Sequence, residues 1–508
     1  MKQLISYQQT QKFTSLVNDY VANAESLQPF YNHYPSLEKF PAQWEEKSKH
    51  KIDRRTLVEV LQSQNKNLNL SQLTADNITA LIDENTFTVT TGHQLCLFTG
   101  PLYFIYKIIS TINLANELKD KYPEKRFVPV FWMASEDHDF QEINHVHLFG
   151  KTLEWNTVQK GAVGSMSLKG IEDVLDELDL VLGESENAKQ LSVLLREAYT
   201  THPNLADASR FLVNKLFGQY GLLILDGDDA RLKRQFVSVI KKDVLHQGFV
   251  QTISDCSQSL AKAYKAQAFV REINFFQLSE GKRERVEGVV SESEIEESPE
   301  KFSPNVLMRP LYQETVLPNL AYIGGGAEVA YWMQLKTAFE QEGIPFPVLV
   351  LRNSALWMEQ KQLDKWQKLG FETADLFLTE QELHQQYVSQ QTDLDLKKEV
   401  SALKEVFEEI LMKVTDKGLK SSVLAEQQKQ LNSFEKLEKK LMKFEKQKHE
   451  TALNQISQLK NKLFPKNSLQ ERYDNFIPFY LKHGENFIEI LQKELSPLDA
   501  KFVILSPQ

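Results

Sequence analysis

Four short runs in this 508-residue chain are dense in Val, Ile, Leu and Phe, and each stops at a group of polar residues. They are TFTVTTG (Thr86 to Gly92), RFVPVFWMAS (Arg126 to Ser135), YGLLILDGDD (Tyr220 to Asp229) and PFPVLVLRNS (Pro345 to Ser354). Half-exposed strands would alternate apolar and polar residues, so unbroken runs of this length predict strands buried on both faces of a parallel sheet. Helical patterns follow two of them, Leu102 to Lys121 and Ala230 to Leu245. The alternation predicts an α/β fold with a doubly wound parallel sheet. In such sheets ligands bind outside the carboxyl ends of the strands. The polar groups that end these runs are Gly92-His93-Gln94, Ser135-Glu136-Asp137-His138, Asp226-Gly227-Asp228-Asp229 and Arg352-Asn353-Ser354.

A chain this long exceeds one ordinary core, so insertions or an appendage are expected. Residues 1–85 read as a mainly helical segment packed on the core, with an irregular connector from Ser26 to Ala42. The core spans 86–385, with an acidic helical insertion near 161–206 and a second near 251–304. The second holds EGKRERVEGVVSESEIEESPE, whose charge density suits an exposed hairpin or loop. Over 386–464 the chain turns helical and charged, its seam running from about Leu394 to Leu463. Leu396, Val400, Leu403, Phe407, Ile410 and Val414 keep a coiled-coil spacing, which resumes at Leu431, Phe434, Leu437, Leu441 and Phe444. The break at TDKGLKSS, centred on Gly418, predicts an antiparallel helical hairpin. Residues 465–508 return to the core.

The net charge of −10 weighs against nucleic acid or anionic membranes as partners. No apolar run has the length of a signal peptide or a membrane span, so a cytoplasmic protein is expected. Only Cys96 and Cys256 occur, too few for a disulfide framework or an all-cysteine zinc site.

Three stretches can carry chemistry. In TTGHQLCLFTGPLYFIYK, Gly92 and Gly100 allow close approach of a ligand, and Pro101 suits a first helical position. The helix end beyond would meet a phosphate or carboxylate, His93 could donate to a phosphate oxygen, and Lys107 could reach back. Gln94 and Thr99 belong to the same candidate anion site. No Walker sequence is present. In SEDHDFQEINHVH, Glu136, Asp137, His138 and Asp139 follow a buried strand, as candidates to bind a substrate amine or hydroxyl, hold a divalent cation, or act as base. His145 and His147 are spaced so that a strand would point both imidazoles the same way. In NVLMRPLYQETVLPNLAYIGGGAEVAYW, Gly324, Gly325 and Gly326 form a candidate anion nest before a helix. Arg309 could fork onto a carboxylate, and Gln313, Glu314 and Asn319 could read hydroxyls or an amine.

Four runs, TGHQLCLFTGPLYFIYKIIST, VPVFWMASEDHDFQEINHV, SPNVLMRPLYQETVLPNLAYIGGGAEVAYW and LFPKNSLQERYDNF, in that order, resemble the BshC family, cysteine ligases of bacillithiol biosynthesis. The resemblance implies a Rossmann-like core related to nucleotidylyltransferases and class I aminoacyl-tRNA synthetases, with a dimerising coiled-coil arm. It implies joining of the cysteine carboxyl group to the amine of glucosaminyl-malate, the last step of the pathway. The synthetase signatures H-I-G-H and K-M-S-K-S are absent, and His93 stands where the family pattern implies glutamine.

An amide-forming ligase needs an activated carboxyl group, so ATP is the expected cofactor and no zinc site is expected. The expected partners are L-cysteine, glucosaminyl-malate and a second copy of the chain. Two other readings stay open: a metal-dependent hydrolase built on Glu136 to His147, and a non-catalytic assembly protein working through the arm.

Overall fold

The computed structural model describes residues 1–392 and 396–507, so Leu394, where the seam was expected to begin, lies outside the described residues. The chain divides into two compact units. One holds residues 2–356 and 470–503, the other Met1, 357–469 and 504–508.

The larger unit is built on a five-stranded sheet: β1 (Thr86–His93), β2 (Arg126–Met133), β3 (Leu223–Asp226), β4 (Asn319–Gly324) and β5 (Val348–Leu351). The order is β3-β2-β1-β4-β5 and every pairing is parallel. Four strands are the four apolar runs. β4 escaped the sequence reading because Pro318, Asn319 and Tyr322 interrupt its apolar character, yet it is an interior strand. Pro129 is tolerated in β2 because pairing with β3 begins only at Val130.

Phe87 and Val89 of β1 pack against Ile323, Val350 and the helix side chains Leu114 and Leu118, all at most 1% exposed. Each such side chain contributes about 1.5–3 kcal/mol by leaving water. The opposite face of β1 carries Thr88 and Thr90, also buried, whose hydroxyls donate to Asn319 Oδ1 at 3.1 and 2.8 Å. These hydrogen bonds allow hydroxyls in a core strand.

The helices that frame the site are α1 (Phe40–Ser48), α2 (Tyr103–Lys121), α3 (Ala230–Arg234), α4 (Met308–Val316) and α5 (Gly326–Met333). The helix expected from Ala230 to Leu245 is broken after α3 and resumes at Val237–Val244. The first insertion contributes helices Glu172–Leu182 and Glu186–Thr200. The second folds as a three-stranded antiparallel sheet in which Phe275–Ser279 pairs with both Lys282–Arg285 and Phe302–Pro304.

The smaller unit contains α6 (Glu380–Gln391), α7 (Lys397–Lys413), α8 (Lys417–Lys448) and α9 (Glu450–Leu463). α7 packs on α8, and α6 packs on α8 and α9. The break falls at Val414 to Asp416 rather than at Gly418, because the Asp416 side chain accepts from Leu419 N at 2.9 Å and starts α8 there. Leu403, Phe407, Leu431 and Phe434 are half-buried. Val406, Met412, Leu424, Leu437 and Phe444 stay exposed. Leu453 is buried in this unit, and its carbonyl accepts from the His384 ring at 3.2 Å.

Candidate active site

The strand order reverses between β1 and β4, the position at which a doubly wound sheet opens a crevice. Gly92 and His93 end β1 there, and Gly324 ends β4. Lys107, one turn into α2, does reach back: its Nζ donates to Gly92 O and to both Glu328 oxygens, at 2.8 and 2.9 Å. Glu328 Oε2 also accepts from Gly325 N at 2.8 Å, and Oε1 from the Tyr322 hydroxyl at 2.7 Å. Burial alone would raise the Glu328 pKa, but the Lys107 ammonium and these donors outweigh it and hold the pKa down to about 2. The Gly324-Gly325-Gly326 turn is therefore capped by a carboxylate of its own chain. A phosphate would have to displace that anion, so the expected nest does not fit a triphosphate as it stands.

Arg309 lies over the Tyr322 and Trp332 rings, 5.3 and 5.8 Å from their centroids. Its Nη1 donates to Gln313 Oε1 at 2.9 Å, the Tyr331 hydroxyl lies beside the guanidinium, and the buried Nη2 makes no well-aligned hydrogen bond. A Cβ on Gly92 would sit 3.4 Å from Nη1, so the guanidinium covers the end of β1. Arg309 thus retains a donor for an anion. Gln313, Glu314 and Asn319 are 0% exposed. Glu314 is paired with Lys47 of α1 at 3.1 Å and accepts from Gln313 and Asn319 at 2.9 and 2.7 Å. Those three residues, expected to read substrate, form a closed network inside the fold because each polar atom finds its partner there.

His93 Nδ1 lies 2.9 Å from Gln94 O, a carbonyl that can only accept, so the proton is on Nδ1. Burial, aided by the Lys107 charge, pushes its pKa down to about 4. The neutral ring therefore presents a lone pair at Nε2 and accepts, where the sequence suggested a donor.

Beyond β2 the charged run does not act as one cluster. Glu136 pairs with Lys233 of α3 at 2.6 Å, and Lys233 also donates to Asp228 at 2.8 Å and to Glu300 O at 2.8 Å. Burial works against the Lys233 charge, but Glu136 and Asp228 outweigh it and raise its pKa. His138 Nδ1 accepts from Arg283 Nη1 at 2.8 Å, and Arg283 stacks on Phe276. Asp139 is exposed. Asp137 joins a different group: Gln94 Nε2 donates to Asp137 Oδ2 at 2.7 Å and to Glu142 Oε2 at 2.9 Å. One amide from the end of β1 thereby holds two carboxylates from the end of β2.

Next to Glu142 lies a cavity of about 120 Å³ bordered by Cys96, Gly100, His145, His147, Arg472 and Tyr473. The two imidazoles do lie on one side of their strand, with ring centres 5.3 Å apart, and His147 stacks on Tyr473 at 4.5 Å. Gly100 has φ +68°, and a Cβ there would meet Cys96 Cβ at 2.6 Å, so only glycine fits. Asn475 Nδ2 fixes this loop by donating to Phe98 O at 2.8 Å and to Gly100 O at 2.6 Å. Pro101 precedes α2, which begins at Tyr103. Thr99 is 3% exposed and its hydroxyl faces the interior. Burial, with Glu142 and Asp137 nearby, pushes the Cys96 thiol up to about 12, so it is not a nucleophile. A larger cavity of about 550 Å³, bordered by His50, Asp53, Gln235 and Thr315, shares no residue with this region.

Sequence reasoning missed Lys233, Arg283 and Arg472. The basic KRER stretch signalled Arg283, but only the fold brings it to His138. Among the described residues, no three His, Cys, Asp or Glu side chains converge as a metal ion requires.

A five-stranded parallel sheet of this order, with amide and charged side chains gathered at its carboxyl edge, defines a Rossmann-like domain, here in a chain that also carries a coiled-coil domain. Residues 1–353 match the family model described as "Bacillithiol biosynthesis BshC, N-terminal Rossmann-like domain", and residues 355–507 the corresponding "C-terminal coiled-coil domain". The chain belongs to the BshC family of bacillithiol biosynthesis. It is 45% identical to a relative from Flavobacterium psychrophilum, covering 99% of this chain and 98% of the relative. It is 38% identical to one from Cytophaga hutchinsonii, covering 97% and 96%. With one from Bacillus cytotoxicus it shares 30%, covering 94% and 95%. All three bear the name "Putative cysteine ligase BshC".

Proposed function

We propose that this protein is a cysteine ligase that joins the carboxyl group of L-cysteine to the amine of glucosaminyl-malate, completing bacillithiol. The observation that carries the reading is the match of both domains, end to end, to relatives named as cysteine ligases. The geometry supports it. An amine nucleophile must be held and deprotonated, and Asp137, fixed by Gln94, offers an acceptor for its N–H groups. His93 Nε2 adds a neutral acceptor. Arg309 Nη2 is a buried donor suited to a carboxylate or phosphate oxygen.

Amide formation from a free carboxylate requires one of its oxygens to leave as part of a better leaving group, and ATP is the proposed activator. The glycine turn capped by Glu328 does not fit the phosphates, so no step is routed through them. The reaction is placed in the cytoplasm; among the described residues no helix is long and apolar enough to cross a membrane. A homodimer through the arm is proposed from its exposed Val406, Met412, Leu424 and Leu437. The metal-dependent hydrolase finds no support in the geometry, because Glu136 and His138 are engaged by Lys233 and Arg283.

The test is incubation of pure protein with cysteine, glucosaminyl-malate and ATP, followed by mass spectrometry of product and nucleotide. Product with AMP indicates adenylation and product with ADP an acyl phosphate; no cysteine-containing amide overturns the ligase.

A further inference from the structure

Glu142 and Arg472 border the same 120 Å³ cavity with opposite charges, yet they form no ion pair with each other. Arg472 is exposed and has no hydrogen bond or ion pair among the described residues. Glu142 uses Oε2 for Gln94 and keeps Oε1 open. Two opposite charges held apart across a small space match a molecule carrying both charges itself.

At about 120 Å³ the cavity has room for several water molecules or for the head of a small amino acid. The cavity walls are also ordered: the His147–Tyr473 stack closes one side, and the glycine-dependent loop at Gly100 another. His145 Nδ1 faces Asn144 Oδ1 at 3.2 Å, and the Asn144 amide group donates to Trp155 O, so Oδ1 is the acceptor. The His145 ring therefore carries a proton on Nδ1.

We propose that this cavity seats the head of a small zwitterionic α-amino acid, its carboxylate on the Arg472 guanidinium and its ammonium on Glu142. The inference rests on the ligase reading, in which that amino acid is cysteine, and assigns cysteine its place. A guanidinium recognises a carboxylate through two parallel N–H bonds, which a water-filled surface site would not select.

Calorimetric titration with three probes tests it, under reducing conditions, alone and with a non-hydrolysable ATP analogue. The probes are L-cysteine, cysteamine (no carboxylate) and N-acetylcysteine (no ammonium). Arg472→Ala should weaken L-cysteine roughly 10- to 100-fold, the loss of a charge-assisted pair, and leave cysteamine unchanged. Glu142→Gln should weaken L-cysteine and leave N-acetylcysteine unchanged. Both side chains are exposed, so the fold should tolerate either change. If the wild type binds or consumes cysteine and both variants match it, the seat is overturned and the ligase stands. If the wild type neither binds nor consumes cysteine, the ligase reading falls and the seat with it.

Discussion

Lys107 Nζ donates to both oxygens of Glu328 at the point where β1 and β4 part. The lysine comes from the helix after β1 and the glutamate from the helix after β4, so the pair fastens the two halves of the sheet. Neither charge can be removed alone without stranding the other in a poorly solvated place.

Lys107→Met should therefore destabilise the protein by about 3–5 kcal/mol, the cost of an uncompensated buried charge. The double variant Lys107→Met/Glu328→Met should recover part of the loss. Urea unfolding of the three proteins measures this, and equal losses for single and double variants would contradict the pairing argument.

A second expectation concerns pH. His93 titrates near 4 in the folded protein and at its ordinary 6.5 when unfolded. The unfolded chain therefore binds the proton first as pH falls, and stability is lost between about 6.5 and 4. One such proton contributes at most about 1.4 kcal/mol per pH unit, and less for a half-buried ring. His93→Gln should flatten the stability–pH curve in this window; an unchanged slope would show that the ring is not held neutral.

Removing Lys233 leaves Glu136 and Asp228 without their shared cation. Lys233→Met should cost about 3–5 kcal/mol near neutral pH. Burial raises the Glu136 pKa in the folded state, so the acid binds its proton more readily there than in the unfolded chain. The deficit should shrink as pH falls and Glu136 takes up its proton. Thermal melts across pH distinguish this from loss of packing, which would give a deficit independent of pH.

For the arm, the half-buried Leu403 and Phe407 face the interior of the smaller unit, so changing them would damage the helices themselves. Met412 and Leu424 are 83% and 51% exposed. Met412→Glu with Leu424→Glu should produce monomers of unchanged helicity by sedimentation and circular dichroism. A wild-type protein that is monomeric at micromolar concentration would end the dimer proposal.

The sheet was legible because double-sided burial leaves an unmistakable apolar run; β4, diluted by Asn319 and Tyr322, was not. The polar residues ending β1 and β2 were legible as a region, and Gln94 with Asp137 shows why. Their partners are set by three-dimensional crossings that no local spacing encodes. Glu136, Asp137 and His138 are consecutive, yet each is claimed by a different partner: Lys233, Gln94 and Arg283. Gln313 and Glu314 looked like substrate readers because sequence cannot distinguish a polar residue aimed at a ligand from one aimed at Lys47.

The second insertion, which reads as surface decoration, supplies the Arg283 guanidinium to His138 and the Glu300 carbonyl to Lys233. It is thus stitched to the core at two independent points, one after β2 and one on α3. A protein engineer who trimmed the chain to its parallel sheet would cut both stitches, taking the guanidinium partner from one imidazole and loosening one ammonium. The smallest working version of this molecule must keep its hairpin.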